Sequence, residues 1–476
     1  MLHHCLCLLA IGLITVAWAA DPARPPNIIV ILTDDQGYGD LSCHGNPILK
    51  TPNLDRLHAE GVRFTDFHVS PTCAPTRSAL LTGRHEFRNG ITHTIFERER
   101  LAPTAITLPQ VLKRAGYRTG IFGKWHLGDE DEYQPGRRGF DEVYIHGGGG
   151  IGQSYPGSCG DVPGNTYFNP VLRHNGTFIK TDGYCTDLFF AEAQRWIAAT
   201  PREAPFFCWL ATNAPHVPLQ VRPEDEARYA GKVSAEVAKY FGMIANIDDN
   251  VGRMLAHLAQ LGIERDTLIV FMNDNGAWPG GAKVFNAGMR GHKNTPWLGG
   301  TRASSFWRWP GTLKPVDVPG LTAHVDVFRT LAAIAGATLT PAEETQAEGR
   351  SLLPLLRDPT APWSDRTLIT HEGRWERGSQ PETGKYRNCS VRTKRWHLVT
   401  VAKPPTTPLW QLFDVVADPG EQQDVAATNP EVVQRLSGEF ESWWTSVRPQ
   451  MVNEGVTGPS ENPFAVAWRA QTGAAK

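Results

Sequence analysis

The sequence predicts an α/β fold: a large mixed, mostly parallel sheet sandwiched by helices, with a smaller C-terminal antiparallel sheet plus helix. Three observations carry this. Short uninterrupted apolar runs recur through the first two-thirds of the chain, stretches of helical periodicity separate them, and beyond about residue 366 short strands follow one another between turns. Apolar runs without polar alternation are how strands buried on both faces read. Their alternation with helices implies parallel crossovers.

Residues 1–20 are apolar and end in small residues, ahead of Asp21 and a Pro-rich spacer to Pro26. The h-region of this stretch is short for a bilayer span of ~20 residues, and the Ala-rich end suits a peptidase. It is expected to be a signal peptide, although its start carries His3 and His4 and no Lys or Arg. The protein is then exported, to a periplasm or the exterior, or to a lysosome or secretion in a eukaryote. No later segment is apolar enough to span a membrane. The main domain is expected over 21–365. Its strands begin with Asn27–Leu32 and continue with Gly120–Lys124, Phe206–Leu210 and Thr267–Met272. Helices are expected over Thr107–Arg114, Leu188–Ala199 and Ala235–Leu261. In the last, Val237, Tyr240, Phe241, Ile244, Ile247, Val251, Met254 and Leu255 recur at helical spacing. Residues 366–476 are expected to form the smaller subdomain, with strands near 366–370, 387–392, 396–401 and 410–414 and a final helix over Pro430–Val447, capped by Asn429.

Composition narrows the function. The 476 residues carry 47 Lys and Arg against 49 Asp and Glu, a net charge of −2. That balance lacks the basic excess of a nucleic-acid binder. With 15 Trp and 20 Phe, the chain has ample apolar surface to bury and is not disordered. Cys5 and Cys7 lie in the signal. The other six cysteines show no CxxC or Cys/His zinc spacing. Cys159 and Cys185 flank a Gly/Pro/Asn-rich segment, where an exported compartment permits a disulfide, and Cys43, Cys208 and Cys389 read as small buried hydrophobes.

Ligands in open α/β sheets bind beyond the carboxyl ends of the strands. Asp34-Asp35 and Asn273-Asp274-Asn275-Gly276 each stand just past such an end. Either could be an ordinary turn. Together, Asp34, Asp35, Asp274 and Asn275 offer only hard oxygen ligands, which suit calcium or magnesium rather than zinc. Cations for an anionic substrate are available at Arg77, Lys124, His126, His216 and Lys293. Lys124 and His126, two apart, share one side of an extended segment.

Cys73-Ala-Pro-Thr-Arg77, followed by Ser78-Ala-Leu-Leu-Thr82-Gly83-Arg84, matches the sulfatase signature. With the acidic pairs and the Lys/His positions in the family's order, the chain from about Asn27 onward resembles the arylsulfatase family of the alkaline-phosphatase superfamily. The resemblance implies that Cys73 is converted to formylglycine by a formylglycine-generating enzyme, and that one Ca2+ is held by Asp34, Asp35, Asp274 and Asn275, with residue 73 or the substrate sulfate completing its shell. A sulfate ester, of an aryl alcohol or a carbohydrate, would then be hydrolysed to alcohol and sulfate. One hydroxyl of the residue-73 hydrate attacks sulfur, and the second expels sulfate as the carbonyl re-forms. Calcium and Lys124 stabilise the nonbridging oxygens, Asp274 is a base toward the hydrate and Arg77 holds residue 73. His216 with Lys293 protonates the leaving alcohol, and His126 deprotonates the remaining hydroxyl. One departure stands out: where the family commonly has Glu-Gly-Gly-x-Arg, this chain has Leu298-Gly-Gly-Thr-Arg302, which puts the role of that loop in doubt.

Charge counting does not separate sulfate from phosphate esters. A phosphodiester or phosphonate monoester hydrolase of the same superfamily therefore remains an alternative, as does a non-catalytic binder of sulfated glycans with an unmodified Cys73. The loops Gly147–Cys185 and Lys283–Arg302 are expected to form the substrate rim. Gly147–Gly152 fits GxGxxG but starts no helix. Asn175-Gly-Thr177 and Asn388-Cys-Ser390 are glycosylation sequons.

Overall fold

A computed structural model of the protein describes residues 24–401 and 408–474; the expected signal peptide lies outside them. Among the described residues no helix is long and apolar enough to cross a membrane.

Five parallel strands form the centre of a ten-stranded sheet, in the order Thr267–Asn273, Asn27–Thr33, Phe206–Ala211, Arg118–Lys124 and Glu142–His146. Four of them contain the apolar runs read from the sequence. In the first strand Ile31 lies between Leu210 and Phe271. Alternate residues feed different cores. Ile28, Val30 and Leu32 pack with Leu80 and Leu81 of helix Cys73–Thr82 and with Phe328 and Leu331 of helix Asp326–Ile334. Ile29 and Ile31 pack with Met243, Ile247, Val251 and Met254 of helix Ala235–Gln260. All eight periodic residues of that helix are buried.

The edges of the sheet add strands beyond the apolar runs. On one side Ser305–Arg308 runs antiparallel between the centre and the parallel pair Val62–Phe64 and Val316–Val318. On the other, the hairpin Val171–His174/Thr177–Lys180 turns at Asn175-Gly176, both at positive φ, as a two-residue hairpin requires. Part of the stretch expected as a rim loop is therefore sheet.

A separate four-stranded antiparallel sheet comprises Leu368–His371, Cys389–Arg392, Trp396–Thr400 and Gln411–Asp414. Helix Pro430–Val447 buries Leu436, Phe440, Trp444 and Val447 against it. This helix is not the last. Helix Pro463–Thr472, capped by the Asn462 side chain, returns to the large sheet, where Phe464 meets Phe178 edge-on. All six described cysteines are free, so Cys159 and Cys185 are not bridged. Cys43 is half-buried rather than buried.

Two predictions follow from this packing. Gly123, at φ +115, lies against the neighbouring strand so closely that a Cβ would stand 1.9 Å from the Ala211 carbonyl oxygen. Gly123→Ala should cost roughly 3 kcal/mol or more in urea unfolding, whereas Gly116→Ala, also at positive φ but in open space, should cost only about 1 kcal/mol; equal costs would contradict the contact. His371 is buried against Trp444 and Phe440, and burial lowers its pKa to about 4. The unfolded chain, near 6.5, binds the extra proton first, so this group removes stability as pH falls from about 6.5 to about 4, by up to roughly 3 kcal/mol. His371→Gln should flatten the pH dependence in that window and leave it unchanged above pH 7.

Candidate active site

The carboxyl ends of the central strands bring the acidic residues together. Asp34 and Asp35 follow Asn27–Thr33, while Asp274 and Asn275 follow the adjacent Thr267–Asn273. All four are buried. Asp35 sits in left-handed backbone at φ 65, a strained state for a non-glycine residue that functional sites retain. It is pinned by its N–H to Asp274 Oδ1 (3.2 Å) and by the Tyr240 hydroxyl, which donates to its carbonyl (2.7 Å).

Each carboxylate meets a cation from another element. Lys124, at the end of its strand, donates to Asp34 Oδ2. Arg77, on the helix that Cys73 begins, donates to Asp274 Oδ2 from Nη2 (2.7 Å) and Nε (3.2 Å). Lys293 donates to Asp35 Oδ2 (2.6 Å), and Asn275 Nδ2 to Asp35 Oδ1 (3.0 Å). His216 Nε2 stands 3.8 Å from Asp35 Oδ2. Against the upward push of burial, Lys124, His216, Arg77 and Lys293 hold Asp34 well below the usual carboxylate range. Burial and the charge of Asp34 push Asp274 up to about 7, against Arg77 and Lys124. Two adjacent buried carboxylates divide in this way when too little positive charge lies between them.

The unused atoms show where that charge belongs. Asp34 Oδ1 and Asn275 Oδ1 are buried without a hydrogen-bond partner. Orphaned buried acceptors are costly, and a carboxylate and an amide oxygen in an acidic cluster suit a hard divalent cation. The donor set thus fits calcium or magnesium.

Cys73 is the first residue of its helix and is buried. Burial raises its thiol pKa, against the pull of Lys124. A nucleophilic cysteine needs the opposite shift, so the unmodified thiol is not primed to attack.

Both histidines have their tautomers set by carbonyls. His126 Nε2 lies 2.7 Å from Thr94 O, and a carbonyl only accepts, so Nε2 carries the proton and Nδ1 keeps its lone pair. That Nδ1 is buried and unpartnered. His216 likewise donates from Nδ1 to Val217 O (2.6 Å), leaving Nε2 toward Asp35. Burial, with Lys124 adding, holds His126 well below the ordinary imidazole range. Burial and Lys293 bring His216 to about 4.

The geometry adds residues that no motif marked. The Tyr167 hydroxyl lies within hydrogen-bond distance of His216 O (2.7 Å) and Asn213 O (3.0 Å), fixing the segment that carries His216. Gly149 abuts His126, whose Cε1 and Nε2 lie 2.9 Å from where a Cβ would be, and Cys159 Sγ lies 3.5 Å from His126 Nε2. His146 ends the strand beside Lys124, buried, with Nε2 unpartnered. Leu298, the departure noted in the sequence, begins the one-turn helix Leu298–Thr301. Its side chain packs with Trp297, Val399, Phe413 and Val415 on the C-terminal sheet, and its N–H donates to buried Glu421 (3.0 Å).

The sulfatase family profile matches residues 26–337. Human arylsulfatase A is 33% identical over 476 aligned positions, covering 89% of each chain. Human N-acetylgalactosamine-6-sulfatase is 34% identical over 369, covering 71% of this chain and 67% of its own. Among solved structures, Ps i-CgsB in complex with k-i-k-neocarrahexaose superposes with a TM-score of 0.79 at 28% identity, covering 94% of this chain and 98% of that one. The phosphonate monoester hydrolase of Agrobacterium radiobacter shares the fold at a TM-score of 0.61 and 20% identity, covering 90% and 96%. The chain therefore belongs to the sulfatase family of sulfuric ester hydrolases.

Proposed function

We propose that this sulfatase removes sulfate from carbohydrate sulfate esters after export, using a formylglycine made from Cys73 by a formylglycine-generating enzyme and one Ca2+. One observation carries the reading: two buried, unpartnered oxygens, Asp34 Oδ1 and Asn275 Oδ1, lie in a site where three carboxylates are each met by Arg77, Lys124 or Lys293. The three anions and three cations cancel, so a divalent ion leaves the site positive and ready for an anionic ester. The carbohydrate reading rests on the relatives, named for N-acetylgalactosamine-6-sulfate hydrolysis and solved with a neocarrahexaose.

Asp34, Asp35, Asp274 and Asn275 would hold the calcium, which supplies positive charge to the nonbridging sulfate oxygens. The oxidised residue 73 supplies the nucleophile that the buried thiol does not. Arg77 fixes Asp274 and lines the residue-73 side of the site. Lys124 adds charge at the sulfate, where preorganised cations are worth most. Asp274 accepts a proton from the nucleophile, and His126 can accept one only at Nδ1, the lone pair that Thr94 leaves open. His216 Nε2, whose lone pair Val217 leaves open, relays to the departing alcohol a proton from the Lys293 ammonium, which shares Asp35 Oδ2 with it.

Three outcomes test this. Purified protein matured in its host should hydrolyse sulfated sugars far faster than phosphodiesters, and its residue-73 peptide should carry the aldehyde mass; preferred phosphodiester turnover would favour the superfamily alternative, and an unmodified thiol without turnover would favour a binder. Lys124→Ala should lower kcat by about 10²–10³. His216→Ala should slow a sugar sulfate by about 10²–10⁴ yet leave p-nitrophenyl sulfate, whose leaving group needs little protonation, far less affected; equal losses would remove His216 from the acid role.

A further inference from the structure

Apart from the acidic centre, a second set of ligating side chains converges on the far side of the loop that follows Asp34-Asp35. Cys43 and His44 lie in the one-turn helix Ser42–His44, and His58 is in the last turn of helix Pro52–Glu60. One ligand atom from each lies within 4.8 Å of the others. All three residues are half-buried, so they are held by packing yet reachable from solvent.

Their surroundings prepare them. His44 Nδ1 donates to Tyr38 O (2.7 Å), which leaves Nε2 as its free lone pair. An imidazole that ligates a metal usually has its other nitrogen anchored to a carbonyl or carboxylate in this way. The His44 ring is stacked on Tyr38 at 3.8 Å, and Phe306 meets both imidazoles edge-on, at 5.5 Å from His44 and 5.2 Å from His58. The two imidazoles face each other at 79°, 5.7 Å between centroids. Burial lowers the pKa of both rings, His44 to about 4 and His58 below its ordinary value. Asp55 is occupied by the Cys43 N–H (3.0 Å) and the hydroxyls of Ser42 (2.6 Å) and Thr51 (3.0 Å), and so orients the turn rather than offering a ligand.

We propose that Cys43, His44 and His58 form a Zn2+ site with water in the fourth position, bracing the loop that carries Asp34 and Asp35 against helix Pro52–Glu60. A thiolate and two imidazoles are soft and borderline ligands that select zinc over calcium. Tetrahedral zinc, with bonds of about 2.0 Å to nitrogen and about 2.3 Å to sulfur, needs ligand atoms roughly 3.5 Å apart, a small inward rotation from the present spacing. Binding exchanges the Cys43 S–H proton for the metal and releases that proton to solvent.

The test uses the processed protein, without the expected signal peptide and its Cys5 and Cys7, as Cys73→Ser, saturated with Ca2+ to fill the hard-oxygen site, with Co2+ as a spectroscopic probe and Zn2+ as competitor. The other described cysteines, Cys159, Cys185, Cys208 and Cys389, are buried, which leaves half-buried Cys43 as the accessible thiol; burial and the Asp55 charge push that thiol up, so the metal must displace its proton. One equivalent of Co2+ should give a near-ultraviolet thiolate-to-metal band that Zn2+ abolishes. Cys43→Ser should eliminate the band, and His58→Gln should weaken Co2+ binding at least tenfold, with unfolding in EDTA unchanged for at least one of the two. Zn2+ should raise the Tm of the parent and not of that variant. Absence of the band, or its persistence in Cys43→Ser, would overturn the site; neither result bears on sulfate ester hydrolysis.

Discussion

Three carboxylates buried together at the ends of adjacent strands impose the constraint on which the rest of the site depends. In a low-dielectric interior such charges are tolerated only when each is paired. Asp34, Asp35 and Asp274 meet this condition through Lys124, Lys293 and Arg77, each from a different part of the chain. The sheet register delivers two of the three acids: Thr33 lies opposite Asn273, so Asp34 and Asp274 emerge side by side. The pairing is incomplete, as Asp274, pushed up to about 7, and the two orphaned oxygens show. The calcium proposed here would complete it.

Around this charged centre, orientation is supplied largely by backbone. Thr94 O and Val217 O fix which nitrogen of His126 and His216 bears a proton, and Tyr167 ties the His216 segment by two carbonyls. The Gly147–Gly150 loop, which resembles a nucleotide motif only in its spelling, lets the main chain come against His126. Leu298, packed against Val399 and Phe413 of the C-terminal sheet and held through its N–H by Glu421, seats the glycine pair Gly299-Gly300 behind Gly276: a Cβ there would stand 2.0 Å from Gly299 O.

The central strands were legible in the sequence because burial on both faces leaves unbroken apolar runs. Helix Ala235–Gln260 was legible because one face is steadily apolar. Val62–Phe64 and Ser305–Arg308 were not, since they are short and contain Arg63 and Arg308. Helix Pro463–Thr472 follows a polar stretch and buries little beyond Phe464 and Ala465. At the site, acids and cations could be found because charge at a strand end is conspicuous. Thr94, Val217 and Tyr167 could not, because carbonyls and a hydroxyl bonded to backbone carry no residue-type signal. Cys43, His44 and His58 escaped for another reason: the 13 residues between the histidines match no zinc spacing, and only the packing of turn against helix brings them together.

Crystallography of the protein grown with Ca2+ tests the central claim most directly. Density for one ion bonded to Asp34 Oδ1 and Asn275 Oδ1 at roughly 2.3–2.6 Å, beside residue 73, is the expected result. Contradiction would come from both oxygens accepting hydrogen bonds from protein or water donors, with the ion absent or bound elsewhere.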